Sequence, residues 1–178
     1  LIGGESRPFS MRLDGRDKRD LSRQDGFSYG FNASPDGGRI AYHQDYQIYL
    51  ADADGSQPQR VETGQPFNFV PLWSPDGKWL EFLSGEHYDC HPHLIQRDGT
   101  GLRLLAGRGG YEGGVPFLDV EDFHGGSSDV PCWSPDSRWV YYTAQIDGAV
   151  ELMRVDLEGQ IQRLSDSDAG VGHYHPTL

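Results

Sequence analysis

Two histidines near the end of the sequence have the spacing of metal ligands on a single β-strand. One residue separates His173 from His175, so in an extended strand both imidazoles face the same side. Neutral imidazole nitrogens are common ligands of divalent transition metals, and the pair predicts a site for manganese or zinc. Such sites normally need three or four ligands. The alternative is that these are two polar strand residues with no ion between them.

A second cluster of possible ligands lies in residues 85–93, which read GEHYDCHPH. We predict that this segment is a loop between two strands. Its side chains are of the kinds that hold zinc, namely His87, Asp89, Cys90, His91 and His93. A short loop containing proline has difficulty wrapping around one ion, which favours interpreting this segment as a polar surface.

A glycine-rich segment, residues 107–128, carries the third group of candidates and reads GRGGYEGGVPFLDVEDFHGGSS. Long segments without regular structure are usually functional or disordered. Its aromatic, acidic and histidine side chains would suit a sugar or a peptide ligand: Tyr111, Phe117, Asp119, Glu121, Asp122 and His124. We therefore predict a ligand-binding loop, with tolerated extra length as the alternative.

A repeated phrase predicts the scaffold for these groups. Ser-Pro-Asp begins at Ser34, Ser74 and Ser134, at spacings of 40 and 60 residues. Two apolar segments, a tight turn and a last short strand follow each phrase. The predicted strands are 39–42, 79–83 and 139–143, then 47–50, 93–96 and 150–155. The predicted turns are Asp54-Gly55, Asp98-Gly99 and Glu158-Gly159, and the last strands end at Val61, Leu105 and Leu164.

Units of four short antiparallel strands are typical of the blades of a β-propeller. We predict an all-β fold with blades at 26–65, 66–106 and 129–167 and the insertion at 107–128 between the last two. Residues 1–25 are predicted as the outer strands of a blade, and residues 168–178 as the first strand of another. The chain is then either a piece of a larger ring or a small ring. Open blade edges predict pairing between copies.

Composition narrows the possible partners. The net charge is −12 without a basic stripe, which argues against nucleic acid. No apolar run reaches the length of a membrane span. The four tryptophans occupy repeated strand positions and predict packing between blades: Trp73, Trp79, Trp133 and Trp139.

The repeated phrase resembles that of TolB-like propellers. It reads Ser34-Pro-Asp-Gly, Trp73-Ser-Pro-Asp-Gly and Trp133-Ser-Pro-Asp-Ser, each followed by an Asp-Gly or Glu-Gly hairpin. The resemblance implies a module that binds a protein partner in the periplasm or outside the cell. Prolyl oligopeptidase-like enzymes carry similar propellers, but a Gly-x-Ser-x-Gly elbow is not found in this sequence.

Oligogalacturonate lyases are also similar, and they imply an alternative function as a polysaccharide lyase. That family binds a divalent metal, typically manganese, with a His-x-His pair just before a Ser-Pro-Asp phrase, the place of His173 and His175. The sequence departs from the family, because no glutamine precedes the pair and the aligned blade starts carry Val70 and Val130. His124 and Arg108 are the nearest candidates for a base and for a group that neutralises a uronate carboxylate. Whether the chain is an enzyme stays open at this point.

Overall fold

The computed structural model describes residues 6–21, 26–86, 89–107, 131–146 and 149–165. Within these ranges all the regular secondary structure is β-strand. No helix among the described residues is long and apolar enough to cross a membrane. The strands are β1 (Phe9–Ser10), β2 (Arg19–Asp20), β3 (Ser28–Ala33), β4 (Arg39–Gln44), β5 (Gln47–Asp52), β6 (Gln59–Arg60), β7 (Phe67–Trp73), β8 (Trp79–Glu86), β9 (Asp89–Gln96), β10 (Arg103–Leu104), β11 (Cys132–Trp133), β12 (Trp139–Ile146), β13 (Ala149–Asp156) and β14 (Ile161–Arg163).

The described strands form three four-stranded sheets and one pair, and all neighbours are antiparallel. We call the sheet β3–β6 blade 1, the sheet β7–β10 blade 2 and the sheet β11–β14 blade 3; β1 and β2 form a half-blade. In each blade the strands follow one another in chain order. The predicted all-β fold with four-stranded antiparallel blades is confirmed.

The Ser-Pro-Asp phrase forms the turn between the first and second strands of a blade. In blade 1, Ser34 Oγ donates to Asp36 Oδ1 at 2.7 Å and accepts a hydrogen bond from the Arg39 amide at 2.9 Å. Asp36 Oδ1 also accepts from the Gly38 amide at 3.0 Å. The same side-chain bonds recur in blades 2 and 3. The phrase therefore satisfies its own polar groups over six residues, which explains its repetition.

The first strands of blades 1 and 2 share a bulge. The pairing of β3 with β4 shifts between Tyr29 and Asn32, and that of β7 with β8 shifts between Phe69 and Leu72. The backbone has φ +63° at Gly30, and φ +51° at the equivalent Val70, a conformation that β-branched residues rarely adopt. A bulge of this kind bends the strand and redirects its side chains.

Apolar faces of neighbouring blades pack against each other. Blade 1 contributes Ile48 and Leu50 to the contact with blade 2, which contributes Leu80 and Phe82, and all four are at most 1% exposed. The contact between blades 2 and 3 includes Leu83, Leu94, Val140 and Met153. Each such side chain stabilises the fold by roughly 1.5–3 kcal/mol through burial. The core therefore lies between the blades.

Two tryptophans bond across these contacts. Trp73 Nε1 donates to the carbonyl of Asn32 at 3.1 Å, and Trp133 Nε1 donates to the carbonyl of Leu72 at 3.2 Å. Trp79 packs against the core between blades 2 and 3, as the sequence predicts. Trp139 lies under the guanidinium of Arg154, with 4.0 Å between its ring centroid and Cζ.

Candidate functional site: an aromatic cluster at one end of blades 1 and 2

The groups that the sequence singles out for chemistry lie largely outside the described residues. These are the metal ligands His173 and His175, the zinc-ligand candidate His87, the catalytic candidates Arg108 and His124, and the loop residues Tyr111, Phe117, Asp119, Glu121 and Asp122. Their roles stay predictions from sequence. The site described below is built from residues that the structure places.

The predicted loop at residues 85–93 is wrong as a loop, because strands β8 and β9 extend into it. Their pairing runs on to Ser84↔His91 and Gly85↔Cys90, which gives the backbone amides partners that a loop would leave to water. Cys90 is buried in the core between blades 2 and 3. Because side chains alternate along a strand, His91 and His93 point to the opposite face. Cys90 cannot share an ion with these histidines.

The imidazole of His93 already makes other contacts. Its Nδ1 lies 2.9 Å from the carbonyl oxygen of His91, and its ring stacks on Phe82 with 5.8 Å between centroids. Burial lowers the pKa of His93. Within the described ranges, no group of three or more His, Cys, Asp or Glu side chains is placed to hold a metal ion.

Aromatic residues gather where blades 1 and 2 begin. Phe27 and Tyr29 alternate into β3, and Phe67 and Phe69 alternate at the same offset in β7. Alternation on an extended strand directs each pair to one side. The hairpin between β4 and β5 adds two further rings. We call the set of six the aromatic cluster: Phe27, Tyr29, His43, Tyr46, Phe67 and Phe69.

The rings of the aromatic cluster form a continuous series across the boundary between the two blades. Successive centroids are 5.3–6.5 Å apart, which is the range of favourable ring pairs. The order along the series is Phe27, Tyr29, His43, Phe69, Tyr46 and Phe67. The cluster therefore depends on the packing of blade 1 against blade 2.

A strained turn presents Tyr46. Asp45 and Tyr46 have φ of +48° and +62°, the backbone of a tight hairpin turn that glycine usually occupies. The fully buried Asn68 of blade 2 donates its Nδ2 to the Tyr46 carbonyl at 2.9 Å. Asn68 Oδ1 in turn accepts from Ser84 Oγ at 2.7 Å. A buried network in the neighbouring blade thus holds this turn, and backbone strain of this kind is often found at functional sites.

The imidazole of the aromatic cluster is uncharged at neutral pH. Burial lowers the pKa of His43 to about 4, so its imidazole is neutral. Its Nδ1 is buried and has no hydrogen-bond partner among the described residues. A Cβ atom on Gly30 would lie 3.0 Å from this nitrogen, so a side chain there would press on the ring. Stacking and apolar contact are what these rings can supply, and no acid–base pair stands among them.

Part of the aromatic cluster is open to solvent. Phe27 is 46% exposed and Tyr46 is 45% exposed. Exposed apolar surface on a rigid scaffold is typical of an interaction site. This surface is not among the sites predicted from the sequence, because those predictions rest on histidines and on the insertion. The signal was the pair of alternating aromatics repeated at a 40-residue offset.

Comparison with known proteins finds partial sequence similarity to TolB. No family model matches it. An uncharacterized protein of Agrobacterium fabrum is 28% identical over 152 residues, covering 81% of this chain and 45% of that protein. The Tol-Pal system protein TolB of Desulfosudis oleivorans is 42% identical over 38 residues, covering 21% of this chain and 9% of TolB. The TolB of Thioalkalivibrio sulfidiphilus is 31% identical over 76 residues, covering 38% and 18%.

These matches confirm the resemblance to TolB-like propellers. The chain spans less than half the length of each of these relatives. Among solved structures, a chain of the nidogen/laminin complex superposes with a TM-score of 0.64 and 18% identity, covering 94% of this chain and 57% of that one. An oligogalacturonate lyase in complex with manganese superposes with a TM-score of 0.59 and 15% identity, covering 86% and 42%. At these identities the superpositions show the propeller fold alone.

Proposed function

We propose that the chain is a propeller interaction module that binds a protein partner through the aromatic cluster. The observation that carries the proposal is the exposure of Phe27 and Tyr46 at one end of two packed blades. Aromatic side chains supply large contact area at low entropic cost and are enriched at protein interfaces. The hydrogen bond from Asn68 to the Tyr46 carbonyl holds the turn in advance of binding, which lowers the cost of ordering it.

The comparisons support a binding role in general terms. Two of the relatives are named as components of the Tol-Pal system, and one structural neighbour comes from a complex between two proteins. From the same resemblance we propose that the chain works in the periplasm or outside the cell. That this chain itself binds a protein partner is our proposal, because the relatives extend well beyond the matched region.

Selection of binding peptides from a phage-displayed random library tests the proposal. The purified chain is compared with the double variant Phe27→Ser/Tyr46→Ser. A matched control is Leu104→Ser/Leu164→Ser, which removes two leucines that are 52% and 43% exposed, one in β10 and one directly after β14. We expect enriched peptides to bind the wild type and the control alike, and to bind the cluster variant at least about tenfold more weakly. Equal binding to the cluster variant, or no enrichment on the wild type, would overturn the proposal.

A second proposal rests on the pair His173 and His175 and on the fold shared with the manganese-bound lyase. In that case the chain would cleave a uronate polymer by elimination, with a divalent metal as cofactor. Incubation with trigalacturonate and Mn²⁺ tests this, because elimination creates an unsaturated product that absorbs ultraviolet light. Metal-dependent growth of that absorbance supports the lyase, and its absence with a folded, manganese-treated chain counts against it.

A further inference from the structure

A pocket lies between blades 1 and 2 at their Ser-Pro-Asp turns. Arg39 begins β4 and His43 lies close to its end, so the pocket and the aromatic cluster occupy opposite ends of the blades. Blade 1 contributes one of the lining residues and blade 2 contributes the rest. The lining residues are Arg39, Gly77, Lys78, Trp79, Gln96, Arg97 and Asp98. Three of these seven carry a positive charge, in a chain whose net charge is −12.

Two of the three cations already have carboxylate partners. Arg97 Nη2 lies 2.8 Å from Asp36 Oδ2, and Lys78 Nζ lies 3.1 Å from Asp76 Oδ2. The carboxylate of Asp98 is also engaged, because its Oδ1 accepts bonds from the amide and the hydroxyl of Thr100. The one acid among the lining residues, Asp98, therefore already has hydrogen-bond donors from Thr100.

Arg39 is different. Its Nε is buried and has no hydrogen-bond partner, and no carboxylate within the described ranges lies at ion-pair distance from it. Asp52, which lies opposite Arg39 on β5, accepts a hydrogen bond from the hydroxyl of Ser56 at 3.2 Å. Nη1 and Nη2 of Arg39 are not buried and pair with none of the described residues, so a ligand would reach the guanidinium through these two nitrogens.

The scaffold fixes where Arg39 lies. Its amide donates to Ser34 Oγ and its carbonyl accepts from the Ser34 amide, both at 2.9 Å, so the residue belongs to the rigid turn of blade 1. The equivalent position in blade 2 is Trp79, whose ring lies beneath Arg103 with 5.7 Å between its centroid and Cζ. Blade 1 thus places a cation where blade 2 places an aromatic ring.

We propose that this pocket binds a carboxylate side chain of an acidic peptide segment, with Arg39 forming the ion pair. A planar guanidinium recognises a carboxylate through paired N–H donors. A peptide fits better than a uronate sugar, because the one aromatic ring of the pocket has Arg103 over its face and packs against the blade 2–3 core. The inference rests on the proposed function only in taking the partner to be a protein.

Fluorescence anisotropy with a labelled peptide tests the pocket. The probe is acetyl-Ala-Glu-Ala-Glu-Ala-Glu amide, compared with the same peptide carrying glutamine for glutamate. We expect the glutamate peptide to bind the wild type at least about tenfold more tightly than the glutamine peptide, and to lose about tenfold in affinity with Arg39→Gln. Arg39→Lys, which keeps the charge without the fork, should fall between them.

The control variant is Arg138→Gln, which removes an exposed arginine from the equivalent turn of blade 3, where it pairs with Asp136. It should bind the glutamate peptide as the wild type does. So should Phe27→Ser/Tyr46→Ser, which separates failure of this site from failure of the aromatic cluster. Circular dichroism checks that Arg39→Gln is folded, and Arg39→Lys replaces it if it is not. Equal binding by the folded Arg39 variants, no binding of the glutamate peptide, or binding of trigalacturonate in its place would overturn the proposal.

Discussion

The indole nitrogen of Trp133 donates a hydrogen bond to the carbonyl oxygen of Leu72 in the preceding blade, at 3.2 Å. Trp73 makes the equivalent bond to Asn32 one junction earlier, at 3.1 Å. Both tryptophans stand directly before Ser-Pro-Asp. The repeated tryptophan therefore makes the same hydrogen bond at two successive blade junctions. A residue that belongs to the local repeat in this way contributes to the packing of one blade against the next.

Replacing Trp133 with phenylalanine should weaken the contact between blades 2 and 3. The change removes a hydrogen bond from a largely buried position and leaves unfilled volume, and we expect the free energy of unfolding to fall by roughly 1–3 kcal/mol in urea denaturation. The control is Trp139→Phe, whose ring is only half-buried and faces Arg154. The free energy of unfolding of Trp139→Phe should fall by less than about 1 kcal/mol. Equal losses for the two variants would contradict an interblade role of the Trp133 indole.

Ser137 occupies the turn position that glycine holds in blades 1 and 2, with φ +59°. Its hydroxyl accepts a hydrogen bond from the Asp76 amide of the neighbouring blade at 3.0 Å. Ser137→Ala keeps the unfavourable backbone and loses this bond, so we expect a loss of roughly 1 kcal/mol in the free energy of unfolding. Ser137→Gly loses the same bond but relieves the backbone, so it should be the more stable of the two by about 0.5–1 kcal/mol. The reverse order in thermal or urea unfolding would refute this account.

Glu81 should make the fold less stable as the pH rises. It is fully buried on the side of β8 that faces blade 3, neither carboxylate oxygen has a hydrogen-bond partner among the described residues, and burial raises its pKa well above 4.5. The folded state therefore binds this proton more tightly than the unfolded state. Stability from this group is complete below about pH 4.5 and is lost as the pH rises through the folded pKa.

The variant Glu81→Leu should remove that pH dependence and should be more stable than the wild type above neutral pH, by roughly 1–3 kcal/mol. Glu81→Gln should also remove the pH dependence, because it cannot titrate. Urea unfolding across the pH range measures both effects. The opposite result would be a wild type whose stability rises with pH over this range while neither variant shows the rise. It would mean that the charged form of Glu81 is stabilised by an interaction in the folded state.

Asp136 should make the fold less stable as the pH falls into the acid range, which is the opposite of the effect of Glu81. Hydrogen bonds from the Ser134 hydroxyl and then from Arg138 lower its pKa to about 2. A lowered folded pKa contributes stability above the unfolded value of 3.8, and that contribution is lost as the pH falls to about 2. Asp136→Asn should therefore be less stable than the wild type near neutral pH and equal to it below about pH 2. An undiminished difference in acid would mean that the charge of Asp136 is irrelevant to the turn.

The pair His173 and His175 should govern any bound manganese. Elemental analysis of the purified chain after exposure to Mn²⁺ measures the metal, and His173→Ala/His175→Ala should lose it. His91→Ala, on β9, is the control and should retain it. Unchanged manganese in the double variant would exclude the pair as ligands.

Much of the scaffold follows from local sequence. The Ser34 to Arg39 turn closes through bonds between residues at most five apart, and the Gly55 turn closes from Asp52. Short-range bonds of this kind require no information from distant parts of the chain, so the turns and the strands between them can be predicted. Residues 85–93 were mispredicted because their loop-like composition was outweighed by strand pairing.

The repeated phrases and alternating strands by themselves determined that this protein is built from four-stranded antiparallel blades. Only the tertiary structure decided which side chains meet between those blades. The aromatic cluster joins Phe27 to Phe67, and the pocket brings Arg39 beside Arg97. Backbone turns are set by bonds between near neighbours, whereas the exposure of Tyr46 and the unpaired Nε of Arg39 depend on how one blade packs against the next.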